Sequence, residues 1–194
     1  MCFVLGACTS QTSTVQTTEK GTQWEWQNGT IVVKTPERPA GQKSVLGLTT
    51  PKLEAVRVGF VGLGMRGPGA VERFTYIPGT QVVALCDYEE ARADKCQELL
   101  KKASMPKAAV YSGDKGYEEL CKRDDIDLVY IAADWLHHFP VAKCALENGK
   151  NVAIEVPSAM NLQECWDLIN LSESTRKHCF ILENCCYDWF EMNT

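Results

Sequence analysis

The sequence contains no apolar run of the roughly 20 residues that a membrane-spanning helix needs, which excludes a transmembrane chain. It has no surplus of basic charge either. Against 25 Asp and Glu stand 20 Lys and Arg, a net charge of −5, so there is no footprint for a nucleic-acid backbone or an anionic membrane surface. Ten cysteines are present, yet C-x-x-C and any Cys/His cluster at zinc spacing are missing, so no metal site is expected. Cys86, Cys96, Cys121, Cys144, Cys165 and Cys179 instead fall within periodic apolar segments, where a thiol acts as a small buried hydrophobe. Gly and Pro are too few for a collagen or a low-complexity linker, and no internal repeat is found. What is there is an ordinary globular mix over 194 residues, enough for one domain, or one domain and a fragment of a second.

The first eight residues read differently from the rest. Leu5-Gly6-Ala7-Cys8 looks like the end of an export signal with a lipoprotein-type box, although the basic start and longer apolar stretch of a full signal are not seen. Residues 1–8 are therefore read as a signal remnant, with Cys8 as the position of a lipid anchor and an exported, periplasmic or membrane-anchored location expected. Residues 9–54 are read as a tether and extension, rich in Thr, Ser and Gln at first. Trp24 and Trp26 flank Glu25 on a short extended piece, and Ile31-Val32-Val33 suits a small strand.

From Val56 onward, strands and helices alternate. Strands are predicted at Val56–Val61, Gln81–Cys86, near Val110-Tyr111, at Leu128–Ala133, Asn151–Val156 and Cys179–Leu182. Helices are predicted at Glu89–Lys102, around Tyr117–Cys121, at Phe139–Asn148 and at Leu162–Thr175. This order implies an α/β fold with a doubly wound parallel sheet, and right-handed crossovers make the Rossmann dinucleotide-binding topology the first choice, spanning 55–187.

Gly62-Leu63-Gly64-Met65-Arg66-Gly67 matches G-x-G-x-x-G between a strand and a helix, and Asp87 closes the next strand about 20 residues further on. Gly62 suits the tight turn, Gly64 a close approach to a diphosphate, and Gly67 close packing of helix on strand. The following helix start offers N–H groups to the phosphates. Asp87 suits the adenosine ribose hydroxyls and would repel a 2′-phosphate, which favours NAD over NADP. Arg66 could lean over the phosphates or a ribose. A second cluster, Asp134-Trp135-Leu136-His137-His138, is read as a loop at the next strand end, where an indole can cover a ring and His138 can bond a ribose or act on a sugar hydroxyl. Glu155 closes a further apolar strand as either a cofactor contact or a general base. Glu183-Asn184 ends the last strand similarly, and Tyr187 follows.

These elements together resemble the glucose-fructose oxidoreductase, inositol dehydrogenase and MocA superfamily. Within it, Gly64-Met65-Arg66-Gly67, Ala84-Leu85-Cys86-Asp87, Trp135-Leu136-His137-His138 and Glu183-Asn184-Cys185-Cys186-Tyr187 resemble the NAD-dependent α-N-acetylgalactosaminidases, from about Pro51 to Tyr187. Dehydrogenases of the superfamily usually carry Glu-Lys-Pro, whose lysine relays a proton from the substrate. Here Val156 stands in the middle of Glu155-Val156-Pro157 and can neither bind a substrate hydroxyl nor relay its proton. That departure favours the glycosidases.

The resemblance implies a redox-neutral hydrolysis with NAD as cofactor. C3 of the sugar is oxidised, the acidified C2 proton leaves, elimination expels the glycosidic oxygen, water adds at C1, and C3 is reduced again. No pair of carboxylates flanking the bond is needed. Met65, Arg66, Asp87, Trp135, His138, Glu155, Val156 and Asn184 are implied as cofactor contacts, with Tyr187 handling protons near the sugar and Glu155 sharing that role. Family members continue into a second α/β domain that supplies most of the substrate pocket. Residues 188–194 are read as its beginning, so this chain is expected to bind NAD without cleaving glycosides by itself. A glycan is the expected partner, and a homo-oligomer is compatible with the sequence. Two other readings stand beside this one, an NAD-dependent sugar or polyol dehydrogenase and a non-catalytic NAD- or sugar-binding module.

Overall fold

A computed structural model describes residues 16–17, 23–33 and 36–193, and the chain divides into two compact units between Pro39 and Ala40. Cys8 and the export box lie outside the described residues.

In the first unit, β1 (Gln16–Thr17), β2 (Gln23–Gln27) and β3 (Thr30–Val33) form an antiparallel sheet in that order. Asn28 and Gly29 join β2 to β3 with φ of 50° and 80°, the left-handed pair that a two-residue hairpin turn requires. Trp24 pairs with Val33 and Trp26 with Ile31. The extended pieces predicted here are thus two arms of one hairpin.

The second unit is built on six parallel strands: β4 (Val56–Val61), β5 (Thr80–Asp87), β6 (Ala109–Ser112), β7 (Leu128–Ile131), β8 (Asn151–Ile154) and β9 (Cys179–Ile181). Their order is β6-β5-β4-β7-β8-β9, so the chain starts in the middle, runs to one edge and returns to build the other. Five helices make the crossovers: α1 (Gly67–Phe74), α2 (Glu90–Lys102), α3 (Gly116–Cys121), α4 (Trp135–Glu147) and α5 (Leu162–Thr175). Residues 40–48, read from sequence as extension, lie with this unit. Gln42 donates to Asn170 and Glu173 on α5, and Arg176 donates to the Lys43 and Ser44 carbonyls.

Period-two alternation sends side chains to two separate cores. On one face Val58, Phe60, Leu85 and Tyr130 pack with Val71 of α1 and Leu100 of α2. On the other, Val61, Cys86, Ile131 and Ile154 pack with Leu120, Leu146 and Leu168 of α3, α4 and α5. A bulge leaves Val83 unpaired, since Val58 aligns with Val82 but Gly59 with Ala84. Gly59 has a packing role: a Cβ there would come within 3.0 Å of Ile126 and 3.1 Å of Leu120.

Several predicted boundaries shift. Helix α4 starts at Trp135, four residues before the predicted start at Phe139, because Asp134 caps it by accepting the Leu136 N–H at 3.0 Å. Pro140 lies inside that helix, in its second turn. Strands β7 and β8 end two residues early, at Ile131 and Ile154, which leaves Ala132, Ala133, Glu155 and Val156 beyond the strand ends. Among the cysteines, Cys86, Cys96 and Cys121 are buried as expected, while Cys165 is exposed on α5. Burial pushes the Cys86 thiol up to about 12 and those of Cys96 and Cys179 to about 11, so these three stay protonated and act as packing groups.

At the opposite end of the sheet from the glycine turn, Asp127 clamps the start of β4. Its Oδ2 accepts the Arg57 backbone N–H and Nε–H, both at 2.9 Å, and Oδ1 accepts Nη2 at 2.7 Å. These bonds hold the Asp127 carboxyl below the usual carboxylate range against the opposing effect of burial.

Two predictions follow from this packing. Leu146→Ala, at a fully buried site, should cost about 2–5 kcal/mol in urea unfolding, whereas Leu46→Ala, 93% exposed, should cost about 0.5 kcal/mol or less. Asp127→Asn should cost about 1 kcal/mol at pH 7, after allowance for the half-exposed Arg57. A depressed folded-state pKa means that this contribution is full above the unfolded carboxylate value of about 3.9 and is lost as pH falls through the folded value. The gap between wild type and Asp127→Asn should therefore close on acidification; a gap unchanged in acid would contradict the clamp.

Candidate dinucleotide site

A cleft of about 510 Å³ opens at the carboxyl ends of β4, β5, β7 and β8, where the strand order reverses. The glycine turn forms its floor. Gly62 has φ +91°, and a Cβ there would land on the Ala132–Ala133 peptide; a Cβ on Gly67 would land on the Gly62 carbonyl. Both glycines are thus required by the fold itself. Gly64 differs, because a Cβ there would meet only Arg92 Nη1 at 3.5 Å, so the space above it is open toward the cleft. Helix α1 begins at Gly67 with Pro68 in its first turn and no side-chain cap, which leaves its first N–H groups facing ligand or solvent.

Asp87 fixes the turn to the sheet. Its carboxylate is 6% exposed and accepts the Leu63 N–H at 2.6 Å on Oδ2 and the Glu89 N–H at 3.0 Å on Oδ1. It still lines the cleft, as do Met65 and Arg66, which are exposed on the rim.

Across the cleft, the Trp135–His138 segment occupies the first turn of α4. Trp135 is 60% exposed and lines the cleft wall. His138 is 1% exposed, with Nδ1 at 2.7 Å from the Pro157 carbonyl and Nε2 at 3.0 Å from the Ala133 carbonyl. Its ring spans the ends of β7 and β8 and borders the cleft from beneath. His137 is the more open of the pair: Nδ1 lies 2.6 Å from Asp134 and Nε2 lies 3.8 Å from Asp114. Burial opposes ionisation of Asp134, yet the bonds from His137 and the Leu136 and His137 amides hold its carboxyl below the usual range.

Glu155 and Val156 line the same cleft. Glu155 Oε1 accepts a hydrogen bond from the Tyr130 hydroxyl at 2.8 Å. Tyr130 comes from the far side of the sheet, where it stacks on Phe60 with centroids 5.1 Å apart. Burial, then the bond to Glu155, pushes its phenol up to about 12, with Arg73 acting in the opposite sense. Its proton therefore stays in place to hold the carboxylate. Asn184 stands apart from the cleft wall, exposed after β9 at the start of a 3-10 turn, Cys185–Tyr187. Tyr187 ends that turn.

The cleft thus gathers Gly62, Gly64, Met65, Arg66, Asp87, Trp135, His138, Glu155 and Val156, while Gly67 supports it from the helix start. Sequence reasoning missed Tyr130 and Arg92. A single hydroxyl in the otherwise apolar run Leu128–Ala133 was the available sign for Tyr130, since a buried phenol needs a partner. The glycine geometry separates folding from binding. Gly62→Ala should lower stability by about 2 kcal/mol or more through clash and strain. Gly64→Ala should leave the unfolding midpoint nearly unchanged but weaken NAD+ uptake by about tenfold or more, read by calorimetry. Equal NAD+ affinity in Gly64→Ala and wild type would contradict a diphosphate lying on the turn.

Comparison with known proteins agrees with this geometry. Residues 56–182 match the model of the oxidoreductase family with an NAD-binding Rossmann fold. A protein named glycosyl hydrolase family 109 protein 4 from Phocaeicola vulgatus is 83% identical over 100% of this chain, and one named glycosyl hydrolase family 109 protein 1 from Bacteroides thetaiotaomicron is 58% identical over 98%. The chain spans 37% and 40% of the length of these curated relatives. Among solved structures, myo-inositol dehydrogenase from Lactobacillus casei, in complex with NAD(H) and myo-inositol, matches 70% of this chain and 38% of its own, at 24% identity and a TM-score of 0.61. Biliverdin reductase from Synechocystis, in complex with biliverdin and NADP+, matches 65% of this chain and 37% of its own, at 27% identity and a TM-score of 0.56. With the glycine turn, the buried acid and the strand order all in place, the chain belongs to the oxidoreductase family with an NAD-binding Rossmann fold.

Proposed function

We propose that this chain is the cofactor-holding part of a glycosidase that releases terminal N-acetylgalactosamine-type sugars by transient oxidation of the sugar. One observation carries the reading: the cleft joins a glycine turn and a buried acid to a wall that carries Val156, the position at which the resemblance puts the dehydrogenases' proton-relaying lysine. The relatives named as glycosyl hydrolase family 109 support it.

When bound, NAD+ supplies a reversible hydride acceptor for a sugar carbon. The chain's own residues bind, orient and screen. The turn from Gly62 to Gly67 and the start of α1 receive the diphosphate, while Asp87 receives the adenosine ribose, with NAD favoured over NADP. Met65, Arg66 and the exposed Trp135 cover the cofactor from the rim. His138, packed between the Ala133 and Pro157 carbonyls and able to donate to one of them, is a positioning residue that sets the backbone around Glu155 and Val156. Glu155, oriented by Tyr130, is placed to contact the nicotinamide half or to take a proton. Asn184 and Tyr187, beyond β9, are assigned to the cofactor and to proton handling near the sugar, on the resemblance described above. Cys8 is assigned to a lipid anchor on an exported protein by its sequence box alone.

The test is hydrolysis of an aryl α-N-acetylgalactosaminide by the intact protein in D2O. Activity that requires NAD+, shows no net NADH and places deuterium at C2 of the released sugar supports the proposal. Hydrolysis indifferent to cofactor removal contradicts it, and steady NADH formation with free sugar selects a dehydrogenase.

A further inference from the structure

Two cysteines meet beneath the cleft wall that α3 and α4 build. Tyr117 of α3 and Val141 of α4 both line the cleft. Cys121 follows Tyr117 by four residues and Cys144 follows Val141 by three, so each thiol lies one turn further down the same helix face. Cys121 is fully buried in the core shared by the two helices, and Cys144 packs against that core from α4. Both thiols are free, and Cys144 is the more open of the two. Its sulfur reaches the protein surface, where the exposed Asn148 sets Nδ2 at 3.8 Å. Across the helix interface the Cys121 thiol donates a hydrogen bond to the Cys144 sulfur. That bond, followed by burial, pushes the Cys121 thiol up. The same bond holds the Cys144 thiol below its ordinary value, against the opposing effect of burial.

We infer that Cys121 and Cys144 form a thiol–disulfide site whose oxidation staples α3 to α4 below the cleft. The site is independent of the dinucleotide reading. Its two thiols divide the roles that such an exchange needs. Cys144 is the more accessible sulfur and is suited to attack; Cys121, buried and in contact with it, is suited to resolve the product. The oxidant is a low-molecular-weight disulfide. The Cys144 thiolate attacks one of its sulfurs, its S–S bond breaks, and one thiolate leaves. Cys121 then gives its proton to solvent, and its sulfur attacks the Cys144 sulfur of the mixed disulfide and expels the second thiolate. Two protein thiols thereby lose two electrons and two protons to make one S–S bond, and the reagent takes them up as two free thiols. Cys86, in the same core, is 3% exposed, and burial pushes its thiol up to about 12, so it stays out of the exchange. Joining positions 121 and 144 also restricts the unfolded chain, which favours the fold.

The test treats the intact, folded protein with oxidised glutathione, blocks the remaining thiols by alkylation and maps the tryptic peptides by mass. The expected product joins residues 116–122 to residues 144–150, with two hydrogens fewer than the separate peptides, and dithiothreitol releases it. Mapping separates this product from glutathione adducts on the exposed Cys165, Cys185 and Cys186. The urea midpoint should rise by about 1 M in oxidised wild type and stay unchanged in Cys144→Ser treated in the same way. Glutathione retained on Cys144 beside a free Cys121 overturns the proposal, as does Cys121 joined to Cys86. Both thiols left free at equilibrium with the reagent overturn it too, and a linked product with an unraised midpoint overturns the staple. The mapping needs wild type alone, so it decides even where Cys144→Ser fails to fold.

Discussion

The hydrogen bond from the Leu63 amide to the buried carboxylate of Asp87 joins the two halves of the nucleotide site. One partner belongs to the turn after β4 and the other to the end of β5. The bond fixes the glycine turn in height above the sheet and leaves the acid pointing along the same wall. A buried carboxylate without donors would be costly. Here the Leu63 and Glu89 amides and the Arg92 guanidinium supply them, so the charge that recognises a ribose is also part of what holds the turn.

The opposite wall is organised by the same logic of polar groups tied at strand ends. His138 sets a ring nitrogen close to each of the Ala133 and Pro157 carbonyls and donates to one of them, and Tyr130 reaches through from the other core to hold Glu155. Neither residue needs to touch a substrate to matter. Each fixes backbone or carboxylate positions at the point where β7 and β8 end, across the crevice from the glycine turn. Val156 beside them keeps the wall apolar where a lysine would make it a proton relay.

Much of this arrangement was legible in the sequence, for reasons that differ by element. The strand Val56–Val61 and the helix Leu162–Thr175 match their predicted ranges, because an unbroken apolar run and a clean helical face leave little choice. The glycine turn and Asp87 were readable since their geometry demands those residue types at that spacing. The start of α4 was not, because Asp134–His138 read as a strand-end loop and the capping role of Asp134 depends on a backbone turn rather than on apolar periodicity. The hairpin at Asn28-Gly29 was signalled by its turn pair but lay in a stretch read for composition. Tyr130 and Arg92 escaped because their partners, Glu155 and Asp87, come together only through the sheet and the turn of α2.

The central claim is that a dinucleotide lies across the carboxyl ends of these strands, and backbone amide resonances report on that directly. Adding NAD+ to isotope-labelled protein should shift the amides of Leu63 to Gly67 and of Asp87 to Glu89, with those of Trp135 to His138 following, while Lys101 to Met105 stay in place. An unshifted glycine turn at saturating NAD+ would contradict the account.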